Sequence, residues 1–248
     1  MSEVVVVTGG GRGIGAATAR LAAARGYAVC VNYRSDEASA AAVVAEIEAA
    51  GGTALAVRAD VSGTAGVERL FATVDAELGV LTALVNNAGV LERQCRLDEL
   101  DEARLERIWT ANITGPFLCA GAAVRRMSTR YGGKGGAIVN VSSAASRLGS
   151  PNEYVDYAAS KGAVDSMTRG LALEVAGEGI RVNAVRPGLI HTDIHALGGE
   201  PGRVDRLGPG LPMGRGGRPE EIAEAILFLL SPASSYATGA ILDLAGGR

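Results

Sequence analysis

The chain has 248 residues, a formal charge of −3, 48% hydrophobic and only 4% aromatic residues. That length suits one large α/β domain with a substantial core. The charge balance lacks the basic face that nucleic-acid binding needs, no apolar run approaches the ~20 residues of a membrane span, and Cys30, Cys95 and Cys119 are odd in number, far apart and fit no metal-ligand spacing.

In chain order, Val4–Val7 reads as a buried strand that runs straight into TGGGRGIG at residues 8–15. This opening lacks the basic start and longer apolar stretch of a signal peptide, so a cytoplasmic location is expected. Ile14–Arg25 predicts a helix ended by Gly26. Ala28–Asn32 predicts a strand, Asp36–Ala50 an Ala-rich helix ending at Gly51-Gly52, Thr53–Arg58 a strand, Ala65–Leu78 a helix and Leu81–Val85 a strand. A long helix is predicted over Leu100–Tyr131, with an irregularity at Gly115-Pro116. Ala137–Val141 is a predicted strand, Tyr154–Ala176 a helix and Ile180–Val185 a strand. Pro187 to Gly217 is rich in Gly and Pro with weak helical signal. Glu220–Leu230, preceded by Pro219, reads as a helix and Ala240–Leu244 as the last strand.

Strands apolar on both faces, each joined to the next by a helix, predict a parallel sheet covered on both sides. Right-handed crossovers then give a Rossmann-type, doubly wound α/β sheet of about seven strands. No linker, charge run or low-complexity tract divides the chain, so residues 1–248 are expected to form a single domain.

The Gly-rich turn sits between the first strand and the first helix. Its fitting glycines are Gly9, Gly13 and Gly15, spaced TG-x-x-x-G-x-G, and with Ile14 and Arg12 they form a candidate pyrophosphate site. Small residues let the backbone approach a phosphate, and the helix N-terminus supplies free N–H donors. At the end of the second strand an acidic residue would hold a ribose 2′-OH, whereas Arg accommodates a 2′-phosphate. Asn32-Tyr33-Arg34-Ser35 occupies that point, and Asp36 reads as the first turn of the next helix. Arg34 and Arg12 both favour NADP(H) over NAD(H).

Tyr157 and Lys161 lie four residues apart in a helical stretch, which puts both on one face. A phenol ionises near pH ~10, and a neighbouring ammonium is expected to lower that value. The pair therefore reads as an acid/base unit. Tyr154 has Ala158 four residues on, no ammonium partner, and reads as a pocket wall.

These motifs, in this order and at these spacings, resemble the short-chain dehydrogenase/reductase family, and the resemblance runs from Val4 to Gly246-Gly247. Asp60-Val61 matches the pair that lies by the adenine ring in that family. Asn86-Asn87-Ala88-Gly89 matches the segment that supports the sheet and meets the cofactor ribose. Asn112 falls where the family keeps a helix-kinking Asn whose carbonyl holds a water of the proton relay. Val139-Asn140-Val141-Ser142-Ser143 resembles the strand ending in the catalytic Ser. Strand alternation allows one of the two serines to face the site, and the family's strand end favours Ser143. Tyr157-Ala-Ala-Ser-Lys161 matches Y-x-x-x-K, and Pro187-Gly188-Leu189-Ile190-His191-Thr192 matches the P-G-x-x-x-T segment that faces the nicotinamide and its phosphates.

The resemblance implies a catalytic set of Asn112, Ser143, Tyr157 and Lys161. It also implies cofactor contacts from Asn87, Ala88, Gly89, Pro187, Gly188, Ile190 and Thr192, and a homotetramer. Small residues at Ala120-Gly121-Ala122-Ala123, Ala158-Ala159 and Gly162-Ala163 suit either helix pairing between subunits or packing within one. Residues 191–214 are expected to form a substrate flap, because long unstructured connections with Gly and Pro often act as lids. With Leu148, Glu153, Tyr154, His191 and His195 the flap would set specificity. His191 and His195 are spaced like zinc ligands on a helix. The P-G-x-x-x-T context makes them pocket or lid residues instead, and no metal is expected. The expected function is NADP(H)-dependent hydride transfer to or from a small-molecule carbonyl or alcohol. The alternatives are a dehydratase or epimerase with the same Tyr/Lys pair, or a non-enzymatic cofactor sensor or scaffold on the same fold.

Overall fold

A computed structural model describes residues 3–248. In chain order the elements are β1 (Val4–Val7), α1 (Gly13–Ala24), β2 (Ala28–Tyr33), α2 (Glu37–Ala49), β3 (Thr53–Arg58), α3 (Thr64–Glu77) and β4 (Leu81–Asn86). There follow α4 (Glu102–Trp109), α5 (Gly115–Met127), β5 (Gly136–Val141), α6 (Ala145–Leu148), α7 (Val155–Val175), β6 (Ile180–Pro187), α8 (Ile194–Leu197), α9 (Arg203–Leu207), α10 (Pro219–Leu230) and β7 (Ile241–Leu244).

Local chemistry explains most boundaries. Four consecutive valines suit an extended, fully buried β1. Asp36 caps α2 by accepting from Ser39 N–H at 3.1 Å, and Gly51, at φ 83°, follows its end. Pro219 opens α10, where its missing N–H costs nothing.

The seven strands form one sheet in the order β3-β2-β1-β4-β5-β6-β7, and every neighbouring pair is parallel. This is the single-domain, doubly wound α/β fold that the alternation predicts. Strand pleating sorts the core. Val5 and Val7 join α1, α2 and α10 residues such as Ala19, Val43 and Ile226 on one face. Val4 and Val6 join Leu70, Phe71, Cys119 and Ala172 from α3, α5 and α7 on the other. Each buried valine contributes about 1.5–3 kcal/mol of transfer free energy. Ala122 and Ala123 are spent inside this second core, so this part of the α5 stripe packs within the chain.

The predicted helix Leu100–Tyr131 is two helices. Asp101 caps α4 through Arg104 N–H. A π turn at Thr110–Thr114 then separates α4 from α5, ahead of the anticipated Gly115-Pro116. The turn forms where the Asn112 side chain leaves the helix surface: its Nδ2 donates to Val90 O at 2.9 Å and its Oδ1 accepts from Val90 N–H at 2.8 Å. At the other end the chain turns extended at Ser128. Among the described residues no helix is long and apolar enough to cross a membrane.

A buried polar chain ties the sheet to α5 and α7 behind the site. Asn86 Nδ2 donates to Asn140 Oδ1 at 2.9 Å and to Pro116 O at 3.2 Å, and Asn140 Nδ2 donates to Thr168 Oγ1 at 2.9 Å. Replacing Asn140 with Leu strands these partners without water. The variant should lose about 1–3 kcal/mol or slightly more, read as a lower urea midpoint at matched protein concentration.

Candidate active site

The strand order reverses between β1 and β4, which opens a crevice outside their C-terminal ends. Two side chains stitch its floor. Thr8 Oγ1 accepts from Asn87 N–H at 2.9 Å and Ala88 N–H at 3.0 Å. Asn87 Nδ2 donates back to Thr8 O at 2.9 Å and Gly9 O at 3.1 Å.

On this floor the Gly turn has no room for side chains. Gly9 has φ 61° and Gly13 φ 51°, a region that favours glycine. A Cβ at Gly15 would lie 2.3 Å from Gly9 O and 2.5 Å from Asn87 Nδ2. Gly9, Arg12, Gly13 and Ile14 line the cleft, whereas Gly15 makes the close packing beneath it possible. Helix α1 begins here without a side-chain cap, so its first-turn N–H groups face the opening.

Asn32 lines the same cleft and also holds the turn in place. Its Oδ1 accepts from Gly9 N–H at 3.3 Å, and its Nδ2 donates to Val57 O at 3.2 Å and Ala59 O at 3.0 Å. The residue is 2% exposed, and its side chain braces the Gly turn. Tyr33, Arg34 and Ser35 line the cleft beyond it, as do Asp60 and Val61. Asp36 is held as the α2 cap and lies 3.6 Å from Arg12 Nη1. Ser39, which donates to Asp36 Oδ2 at 2.7 Å, also lines this end.

At the other end of the cleft stand Ser143, Tyr157 and Lys161, with Ala88, Gly89, Pro187, Gly188, Ile190 and Thr192 between the two ends. The strand end resolves the paired serines: Ser142 is 3% exposed and donates to Lys161 O at 3.2 Å, while Ser143 is partly open and accepts from Ala145 N–H at 3.1 Å. Lys161 is buried, donates to Val141 O at 2.9 Å, and its Nζ lies 5.6 Å from the Tyr157 ring centroid. Asn112 is fully buried and lies behind Gly89, where a Cβ would sit 3.2 Å from Asn112 Oδ1 and 3.5 Å from Lys161 Nζ.

The electrostatics differ from the sequence expectation. Tyr157 keeps part of its surface open to the cleft, yet the surrounding protein pushes its phenol up to about 12, with only the Ser143 hydroxyl pulling it down. The Lys161 ammonium is itself pushed down to about 8 by burial, and Asp165 partly restores it. Desolvation of both groups outweighs the attraction that a spacing argument sees.

The cleft beyond Tyr157 is walled by Leu148, Glu153, Tyr154 and His195, by Leu197 and Arg203 of the expected flap segment, and by Leu91, which sequence reasoning missed. Residues 191–214 are not structureless: they hold α8 and α9. Arg203 on α9 is 5% exposed. It donates to Glu153 Oε2 at 2.5 Å and Glu200 Oε2 at 3.0 Å, and stacks 5.5 Å from the Tyr154 ring centroid. His191 does not face the cleft. Its N–H bonds Gly217 O at 2.9 Å in a bridge that turns the ring outward, 3.9 Å from Asp205. His195 Nε2 is taken up by Ile190 O at 3.0 Å. The two imidazoles therefore do not converge.

Comparison with known proteins places these features in context. Residues 9–248 match the family described as Enoyl-(Acyl carrier protein) reductase. The uncharacterized oxidoreductase YgfF of Escherichia coli is 56% identical over 99% of both chains. Cis-4-hydroxycyclohexanecarboxylate dehydrogenase of Sinomonas cyclohexanicum is 45% identical over 99% of this chain and 96% of its own. A short chain dehydrogenase of Burkholderia cenocepacia, solved in complex with NADP, superposes with a TM-score of 0.90 at 33% identity, covering 99% of this chain and 97% of that one.

The depressed Lys161 value has a measurable consequence. Between pH 8 and 10 the unfolded chain holds a proton on Lys161 that the folded chain does not, so stability rises with pH across that window and the full cost, about 3 kcal/mol, is present below it. Urea unfolding without added cofactor should show this rise in the wild type and a flatter curve for Lys161→Met.

Proposed function

The chain belongs to the short-chain dehydrogenase/reductase family, and from that premise we propose that it is an NADP(H)-dependent oxidoreductase moving hydride between the nicotinamide and a small carbonyl or alcohol substrate. The observation that carries this reading is one unbroken cleft of about 580 Å³ running from Arg34 and the Gly turn to Ser143, Tyr157 and Lys161. A dinucleotide fits its residues: the Gly9 and Gly13 backbone admits a pyrophosphate, and the uncapped α1 N-terminus offers it N–H donors.

Arg12, Arg34 and Ser35 would hold a 2′-phosphate. Of the carboxylates lining this end, Asp36 is occupied by its cap and by Arg12, and Asp60 by Ser62, which supports NADP(H) over NAD(H). The NADP complex of the Burkholderia cenocepacia protein agrees with this choice. Asp60, Val61, Ala88 and Gly89 would flank the adenosine and ribose, and Pro187, Gly188, Ile190 and Thr192 the nicotinamide side.

When bound, the reduced nicotinamide supplies hydride to a carbonyl carbon. Ser143 donates a hydrogen bond to the carbonyl oxygen and orients it. Tyr157 passes its proton to that oxygen as general acid, and a phenol pushed up to about 12 is reliably protonated for that task near neutrality. Lys161 lies beside the resulting phenolate, steadies its charge and leads the proton path inward toward Asn112. In the oxidising direction the same groups work in reverse, with Tyr157 as base.

Leu91, Leu148 and Leu197 form an apolar substrate wall, which suits a compact ring-sized alcohol or ketone. The relative named for cis-4-hydroxycyclohexanecarboxylate points the same way. Exposed Trp109, Phe117 and Leu173, at 44%, 49% and 83%, support subunit contacts in a homotetramer. The free thiols Cys30, Cys95 and Cys119 support a cytoplasmic setting.

NADPH oxidation in the presence of cyclic ketones, aldehydes and quinones tests the activity. Tyr157→Phe should lose nearly all turnover while still binding NADPH; wild-type turnover in that variant would remove the acid role. Silence across the panel despite tight NADPH binding would favour a cofactor sensor. Arg34→Ala should raise the KM for NADPH about 10- to 100-fold and leave that for NADH nearly unchanged; a clear wild-type preference for NADH would overturn the NADP(H) assignment.

A further inference from the structure

Helix α7 delivers Tyr157 in its first turn, and that turn is poorly held by its own chain. Its N-cap is Tyr154, which makes no side-chain capping bond, and uncapped helix ends fray. The missing restraint comes from α4. Arg104 Nε donates to Asp156 Oδ2 at 2.7 Å and Nη2 to Asp156 Oδ1 at 3.3 Å. The pair is sealed from water, with side chains 10% and 1% exposed. The third arm of the guanidinium, Nη1, donates to Arg93 O at 2.6 Å. Arg93 lies in the segment that places Val90 and Leu91 in the cleft, and Val90 is gripped by Asn112 through both backbone groups.

We propose that Arg104, through Asp156, is a positioning residue that fixes Tyr157 and the Val90–Arg93 segment relative to each other. This rests on the reading of Tyr157 as the proton donor. A buried ion pair is weak evidence for stability, since apolar residues of similar volume often replace one without loss. Its two-pronged geometry does fix direction: a fork on a carboxylate sets orientation as well as distance. Asp156 precedes Tyr157 directly, so locking its carboxylate toward α4 sets the rotation of the first turn and with it the phenol's aim into the cleft. Small misplacements of reacting groups cost rate steeply.

The test pairs kinetics with amide exchange, using NADPH and 4-oxocyclohexanecarboxylate as probes. In Arg104→Met/Asp156→Leu, which removes both charges and keeps volume, kcat should fall about 10- to 100-fold with KM and NADPH affinity within about twofold. Exchange of the Ala158 amide, bonded to Tyr154 O at 2.9 Å, should speed up. Arg104→Lys, which keeps a charge but cannot span Asp156 and Arg93 O together, should restore part of kcat. A folded double variant with wild-type kcat and wild-type Ala158 protection overturns the proposal. So does a kcat loss matched by equal loss of NADPH affinity and of melting temperature. If the double variant does not fold, wild-type kcat in Arg104→Lys overturns it. Retained turnover in Tyr157→Phe removes the proton-donor reading alone, because the exchange measurement does not depend on it.

Discussion

The stitch between Thr8 and Asn87 is the constraint on which the site depends. Both residues sit where strands β1 and β4 end and the sheet order reverses, and four hydrogen bonds join the two ends. Those bonds fix the Thr8 hydroxyl and the Asn87 amide nitrogen, so the floor of the crevice is held by both strands and the Gly turn above it is shaped by packing. Asn32 adds the third brace from β2. Three strands thus commit their terminal polar side chains to one another, and the backbone between them is left to meet a ligand.

The two ends of the cleft are held by different physics. The Gly-turn end is backbone and helix terminus, with charge supplied by exposed arginines. At the Tyr157 end burial dominates: it drives the Tyr157 phenol up and the Lys161 ammonium down. Around that end two arginines act as ties. Arg104 grips the residue before Tyr157, and Arg203 grips Glu153 and stacks on Tyr154. The short stretch from Glu153 to Tyr157 is therefore clamped from α4 on one side and from α9 on the other.

Much of this was legible in the sequence. Strand and helix alternation is a local signal, and so are the Gly turn and the four-residue step from Tyr157 to Lys161. What stayed hidden depends on burial and on partners remote in sequence. The bracing role of Asn32 is invisible until Val57 and Ala59 are brought beside it. His191 reads as a pocket residue until the bridge between Ile190 and Gly217 turns it outward. Arg104 looks like an ordinary surface charge, and Arg203 stays open between a polar contact and solvent, since nothing local marks an arginine for burial. The π turn at Thr110–Thr114 is set by Val90, twenty residues or more away in the chain, so helical periodicity runs through it.

The segment after β6 is an excursion with a closed base. It leaves the sheet after Ile190 and returns at Gly217, and those two residues are bridged: His191 N–H bonds Gly217 O at 2.9 Å and Gly217 N–H bonds Leu189 O at 2.8 Å. The excursion is pinched shut at its neck. The segment between carries Leu197 and Arg203 of the cleft wall, so changes inside the neck reshape that wall while the sheet and the Gly turn keep their register. Arg203 is the part of the excursion that cannot be rewritten freely, because its hold on Glu153 and Tyr154 reaches back to the first turn of α7.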